Sequence, residues 1–141
     1  MKITFGTPEH GWLEVQLVDE QTKHHLDASD VPCNSLESLV SAVLKLHNGS
    51  VEEEIEWSLE PSYEVWKFKV KEEKITLIIS IDDKEKAVFI SLKNEVIKSF
   101  YEALTKLGSL ESWNEDIQTR QSWTWDFPTS TLNKLKEKIE V

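Results

Sequence analysis

Metal-ligating side chains gather in one short stretch of this chain, His24, His25, Asp27 and Asp30. Imidazole and carboxylate donors suit a divalent cation, but a site requires them to converge on one point. Adjacent histidines on a polar segment rarely do so unaided. The four are therefore weak candidates, and the stretch reads as a solvated loop. His10 and His47 are isolated. Carboxylates cluster at Glu52, Glu53, Glu54 and Glu56. A general acid or base needs partial burial to tune its proton affinity, whereas these alternate outward against lysines. Asp82-Asp83 suits a hairpin turn, where Asp tolerates the required backbone. Cys33 is the single cysteine and has no neighbour that would activate its thiol. The four glycines are scattered and cannot form a phosphate loop. There is no nucleophile elbow and no helical histidine pair flanking a glutamate. These motifs imply no catalytic residue and no cofactor.

The elements that position these residues follow from periodicity. Ile3 to Phe5 and Trp12 to Val18 read as two strands, the second with Leu13, Val15 and Leu17 alternating against Glu14 and Gln16. Residues 19–33 are polar and read as a connection. Asn34 can cap a helix, with Glu37 as its capping-box partner. Leu36, Leu39, Val40, Val43 and Leu44 then recur at helical spacing, and Gly49 can close the helix.

Residues 51–92 read as four strands, at 51–60, 63–71, 74–81 and 87–92. Their short connections make them antiparallel neighbours. Ile55 and Trp57 face Trp66, Phe68 and Val70, while Glu52, Glu54 and Glu56 face Lys67, Lys69 and Lys71. A shift of two residues preserves this match; a shift of one buries glutamate. Pro61 argues for a four-residue turn, placed at 61–64. Ile75, Leu77, Ile79 and Ile81 continue the inner face, and Val88, Ile90 and Leu92 are expected to join it. Ile78 and Phe89 then fall on the outer face, either covered by the chain ends or exposed for a partner. A second helix runs from Glu95 to Leu107. Residues 109–127 are aperiodic and carry Trp113, Trp123, Trp125 and Phe127, which suit either the end of a core or a partner anchor. A final short helix follows Pro128, with Leu132, Leu135 and Ile139 as its stripe.

Chain length bounds the rest: 141 residues fit one domain, 1–141, with a core of its own. The expected class is α+β. The sheet should be antiparallel, of four to six strands around the 51–92 meander, with two main helices on one face and a short C-terminal helix. A single cysteine, no signal-peptide run and no apolar stretch of ~18 residues point to a cytoplasmic protein. The net charge of −10 repels nucleic acid and anionic lipid. A basic protein partner is compatible with this charge, and so is a charge that serves only to keep the protein soluble. The protein-binding candidates are Glu52, Glu54, Glu56, Ile78, Phe89, Trp113 and Trp123.

The stretch Ser29-Asp30-Val31-Pro32-Cys33-Asn34-Ser35-Leu36-Glu37-Ser38-Leu39, with Ile55-Glu56-Trp57-Ser58-Leu59-Glu60-Pro61 and Tyr63-Glu64-Val65-Trp66, resembles a family of small uncharacterised bacterial proteins. In size and charge the chain is also similar to immunity proteins of toxin systems. The resemblance implies a strand pair, a capped helix, a Glu-Pro turn and a Pro-started last helix; it carries no catalytic residue. The expectation is a non-enzymatic acidic protein-binding module, an immunity-like inhibitor of a basic partner. One alternative is a small-molecule or metal-binding enzyme with its site near the 24–30 loop. Another is a structural, self-associating subunit that uses the Ile78/Phe89 face.

Overall fold

The computed structural model describes residues 1–114 and 122–139. Seven strands form one antiparallel sheet in simple sequence order. They are β1 (Lys2–Phe5), β2 (Trp12–Val18), β3 (Lys23–Ser29), β4 (Glu52–Ser58), β5 (Tyr63–Lys71), β6 (Lys74–Ile81) and β7 (Lys84–Leu92). The helices are α1 (Ser35–His47), α2 (Lys93–Gly108) and α3 (Thr129–Ile139), with a short 3₁₀ turn at Glu111–Asn114. Together they make an α+β fold. The expected four to six strands become seven chiefly because residues 23–29, read as part of a connection, form β3.

The β3 segment escapes a local reading because its inward side carries a histidine. His24, Leu26 and Ala28 alternate inward against Leu17, Val15 and Leu13 of β2. The polar first member breaks the apolar period. β3 meets β4 at one pair, Ser29 with Ser58. Its N-terminal half therefore runs past the end of β4.

The central parity holds. Ile55 lies opposite Trp66 and Glu54 opposite Lys67, two residues from the register that sets Trp57 against Trp66. The turn is four residues long, at Leu59–Ser62 rather than 61–64, with Leu59 N–H donating to the Ser62 carbonyl at 2.7 Å. Trp57, Trp66, Phe68 and Phe100 pack as tilted and edge-on pairs in the core. Such pairs add ~0.5–1.5 kcal/mol each beyond area burial.

β7 departs from expectation. Asp82 and Asp83, both in the left-handed region, make a two-residue turn, so β7 starts at Lys84. Glu85 lies opposite Ser80, but Ala87, not Lys86, lies opposite Ile79. Lys86 is thus an extra residue, a bulge that reverses the facing of everything after it. Ala87 and Phe89 turn inward, while Ile90 is 59% and Leu92 45% exposed. Without the bulge Lys86 would face the core beside Ile79. Burying that ammonium unpaired would cost several kcal/mol.

All three helices share the inward side. Asn34 caps α1 by accepting from Glu37 N–H, and Gly49, at φ +108, closes it with Gly49 N–H on Leu46 O and Ser50 N–H on Lys45 O. The Glu37 carboxylate does not complete a capping box; it accepts from Thr131 Oγ1 at 2.7 Å and so ties α3 to α1. α1 lies on β4. α2 follows β7 without a loop and reaches the other end of the sheet, where Ile3 N–H donates to Ser99 Oγ at 3.3 Å. The free edge of β1 is thus met by a helix.

Candidate functional site

The side of the sheet away from the helices is the candidate binding face. Its chemistry is sorted by strand. β4 presents Glu52, Glu54 and Glu56, all exposed. β5 presents Lys67, Lys69 and Lys71. β6 presents Lys74, Thr76 and the half-buried Ile78, and β7 presents Val88, Ile90 and Leu92. The register links them in rows: Glu54, Lys67, Ile78 and Val88 form one, and Glu52, Lys69, Thr76 and Ile90 the next. Lys67 Nζ stands 4.0 Å from Glu54 Oε1. Glu56 faces Val65 and has no lysine across from it. The acidic and apolar columns are three strands apart, roughly 14 Å at ~4.8 Å per strand.

Of the residues singled out for partner binding, Glu52, Glu54, Glu56 and Ile78 lie together on this face. Phe89 does not: the Lys86 bulge turns it into the core, where it is 1% exposed. Trp123 is also core, at 1%. Trp113 is half-buried, donating its indole N–H to Leu107 O at 2.8 Å and packing on Phe127. The aromatic stretch 109–127 therefore acts largely as a core end; residues 115–121 within it lie outside the described residues. Ile90 and Leu92 belong to the face and were expected inside. Their signal was Lys86, which shares their parity in an unbulged strand.

The four metal candidates do not converge. His24 points inward, its Nε2 2.9 Å from Glu64 Oε1. Glu64 is 1% exposed, and its Oε2 accepts from Trp66 Nε1–H at 2.8 Å. His25 and Asp27 point outward, beside Glu14. Asp30 is 7% exposed; its Oδ2 accepts from Thr124 N–H at 2.8 Å and its carbonyl from Trp125 Nε1–H at 2.6 Å. Two of the four thus hold the structure together. Cys33 is half-buried, its sulfur 3.6 Å from Ser35 Oγ.

No helix among the described residues is long and apolar enough to cross a membrane. No family model, curated protein or solved structure matches the chain.

Proposed function

We propose that this chain is a non-enzymatic binding module that seats a basic protein on the uncovered face of β4–β7, in the manner of an immunity-like inhibitor. The observation that carries this reading is the ordering of that face into a glutamate column on β4, lysines on β5 and β6, and an apolar column on β7. Ile90 and Leu92 supply the anchor a binding surface needs at its centre of desolvation. The Glu52, Glu54 and Glu56 column supplies the charge that guides basic side chains to the β4 side. Lys67, Lys69, Lys71 and Lys74 lie between it and the anchor, so a partner that spans both places acidic groups over β5 and β6. The three carboxylates are exposed and so open to basic side chains. The net charge of −10 acts at longer range, raising the association rate at low salt. Size and charge support the inhibitor version of the reading.

The alternative of an enzyme near residues 24–30 is less favoured, because these residues form a strand and its flank and their side chains enter different surroundings. The test is affinity capture from the native host at low and moderate salt, run in parallel with wild type, Ile90→Lys and the triple variant Glu52→Gln, Glu54→Gln, Glu56→Gln. A protein held by wild type, released by Ile90→Lys and held less well by the triple variant at moderate salt supports the proposal. No retained species, or one held equally by all three, overturns it.

A further inference from the structure

Glu14 and Asp27 are direct cross-strand partners on the outward face of β2 and β3. Like charges in that position repel and destabilise the pair. Among the described residues no lysine or arginine forms an ion pair with either. The one group that approaches both is His25, whose Nε2 is 3.8 Å from Glu14 Oε1 and 3.8 Å from Asp27 Oδ1. Those separations are too long for hydrogen bonds. The three donor atoms all lie within 4.8 Å of one another, with His25 at ion-pair distance from both carboxylates when it is protonated.

We infer that Glu14, His25 and Asp27 form a binding site for a first-row divalent transition cation. An ion about 2.0–2.1 Å from each donor sets donor–donor separations of about 3 Å between adjacent octahedral positions, ~3.3 Å in a tetrahedron and about 4.2 Å for opposed octahedral positions. Two of the observed spacings are 3.8 Å and the donors lie within 4.8 Å of one another, so the side chains must draw together by up to about 1–2 Å to meet one ion. Small torsions of three exposed side chains would complete the site, because the ladder of β2 and β3 already fixes their Cβ positions. One imidazole with two carboxylates favours zinc or manganese over calcium or magnesium, which take oxygen donors. The cation would also offset the repulsion across the Glu14–Asp27 pair. Three protein donors leave a coordination position open to water or to a donor from another molecule. This inference is independent of the binding-module reading and uses the opposite half of the sheet.

The test is calorimetric titration of the full chain with zinc chloride in a buffer that does not chelate, using wild type, His25→Ala, Glu14→Gln and His47→Ala. Manganese is then used to map the site by paramagnetic broadening of backbone amide signals. The expected result is one equivalent of zinc, with binding weakened about tenfold or more in His25→Ala and Glu14→Gln and unchanged in His47→Ala. Broadening should centre on residues 14, 25 and 27. Glu14 and His25 are exposed and His47 is half-buried at the end of α1, so circular dichroism should show each variant folded. Absence of zinc binding by folded wild type, equal binding by all variants, or broadening centred elsewhere overturns the inference.

Discussion

Phe89 of β7 lies directly across from Leu77 of β6, and each is 1% exposed. Its neighbour Ile90 lies across from Thr76 on the opposite face and is 59% exposed. Truncating the two therefore has unequal consequences. Phe89→Ala opens a cavity in the core and should cost ~3–5 kcal/mol. Ile90→Ala should change stability by no more than about 0.5 kcal/mol. Urea unfolding of both variants measures the difference. The opposite ranking would mean that Lys86 is not a bulge and that β7 faces the other way.

The buried carboxylate of Glu64 has two nitrogen partners from different parts of the sheet, Trp66 on its own strand and His24 on β3. β3 and β4 share a single residue pair, so the His24 contact is a principal tie between the two halves of the sheet. His24→Ala removes one partner from a buried acidic group and should cost ~1–3 kcal/mol. The double variant His24→Ala with Glu64→Gln should cost less than the sum of the two single variants. Additive losses in that cycle would show that the two side chains are not coupled.

Asp30 should prove structural. Its carboxylate and carbonyl hold Thr124 and Trp125, and Asp30→Ala should cost ~1–3 kcal/mol and speed hydrogen exchange at the Thr124 amide. Gly11 leaves room for it. A Cβ there would stand 2.9 Å from Asp30 Oδ1, and the residue sits at φ +81. Gly11→Ala should therefore destabilise by at least ~1 kcal/mol. A neutral Gly11→Ala would mean that the Asp30 carboxylate lies elsewhere.

Much of this frame is legible in the residues themselves, wherever the deciding information is local. The ends of α1 follow from Asn34 and Gly49, and the parity of β4 and β5 from glutamates alternating with Ile55 and Trp57. Two features depend on distant partners. His24 can sit on an inward position because Glu64, forty residues later, meets it there. β7 turns over because an inward Lys86 would have no counter-charge beside Ile79, a consequence visible only once the strand is extended back to Lys84. The proposed binding face is half legible for the same reason: its glutamate column is set by alternation, and its apolar column by the bulge. The Glu14, His25 and Asp27 cluster required β3 to be recognised as the partner of β2.

The uncovered face should separate binding from stability. Glu52, Glu54 and Glu56 are exposed, and the ion pair from Glu54 to Lys67 is 4.0 Å long and open to water. Exposed pairs of this kind contribute ~0–1 kcal/mol. Neutralising all three carboxylates with Gln should therefore change stability by at most about 1 kcal/mol. Association with a basic partner should respond differently, since the column acts on approach: the association rate should fall at low salt, and the gap between wild type and variant should narrow as salt screens it. Ile90→Lys should act on dissociation instead, because it removes a desolvated anchor. Stopped-flow or surface-based kinetics on a captured partner, at two ionic strengths, tests both halves. A triple variant that loses most of its stability would place these glutamates in the frame rather than on the binding face. An Ile90→Lys variant with unchanged dissociation would remove the apolar column from the interface.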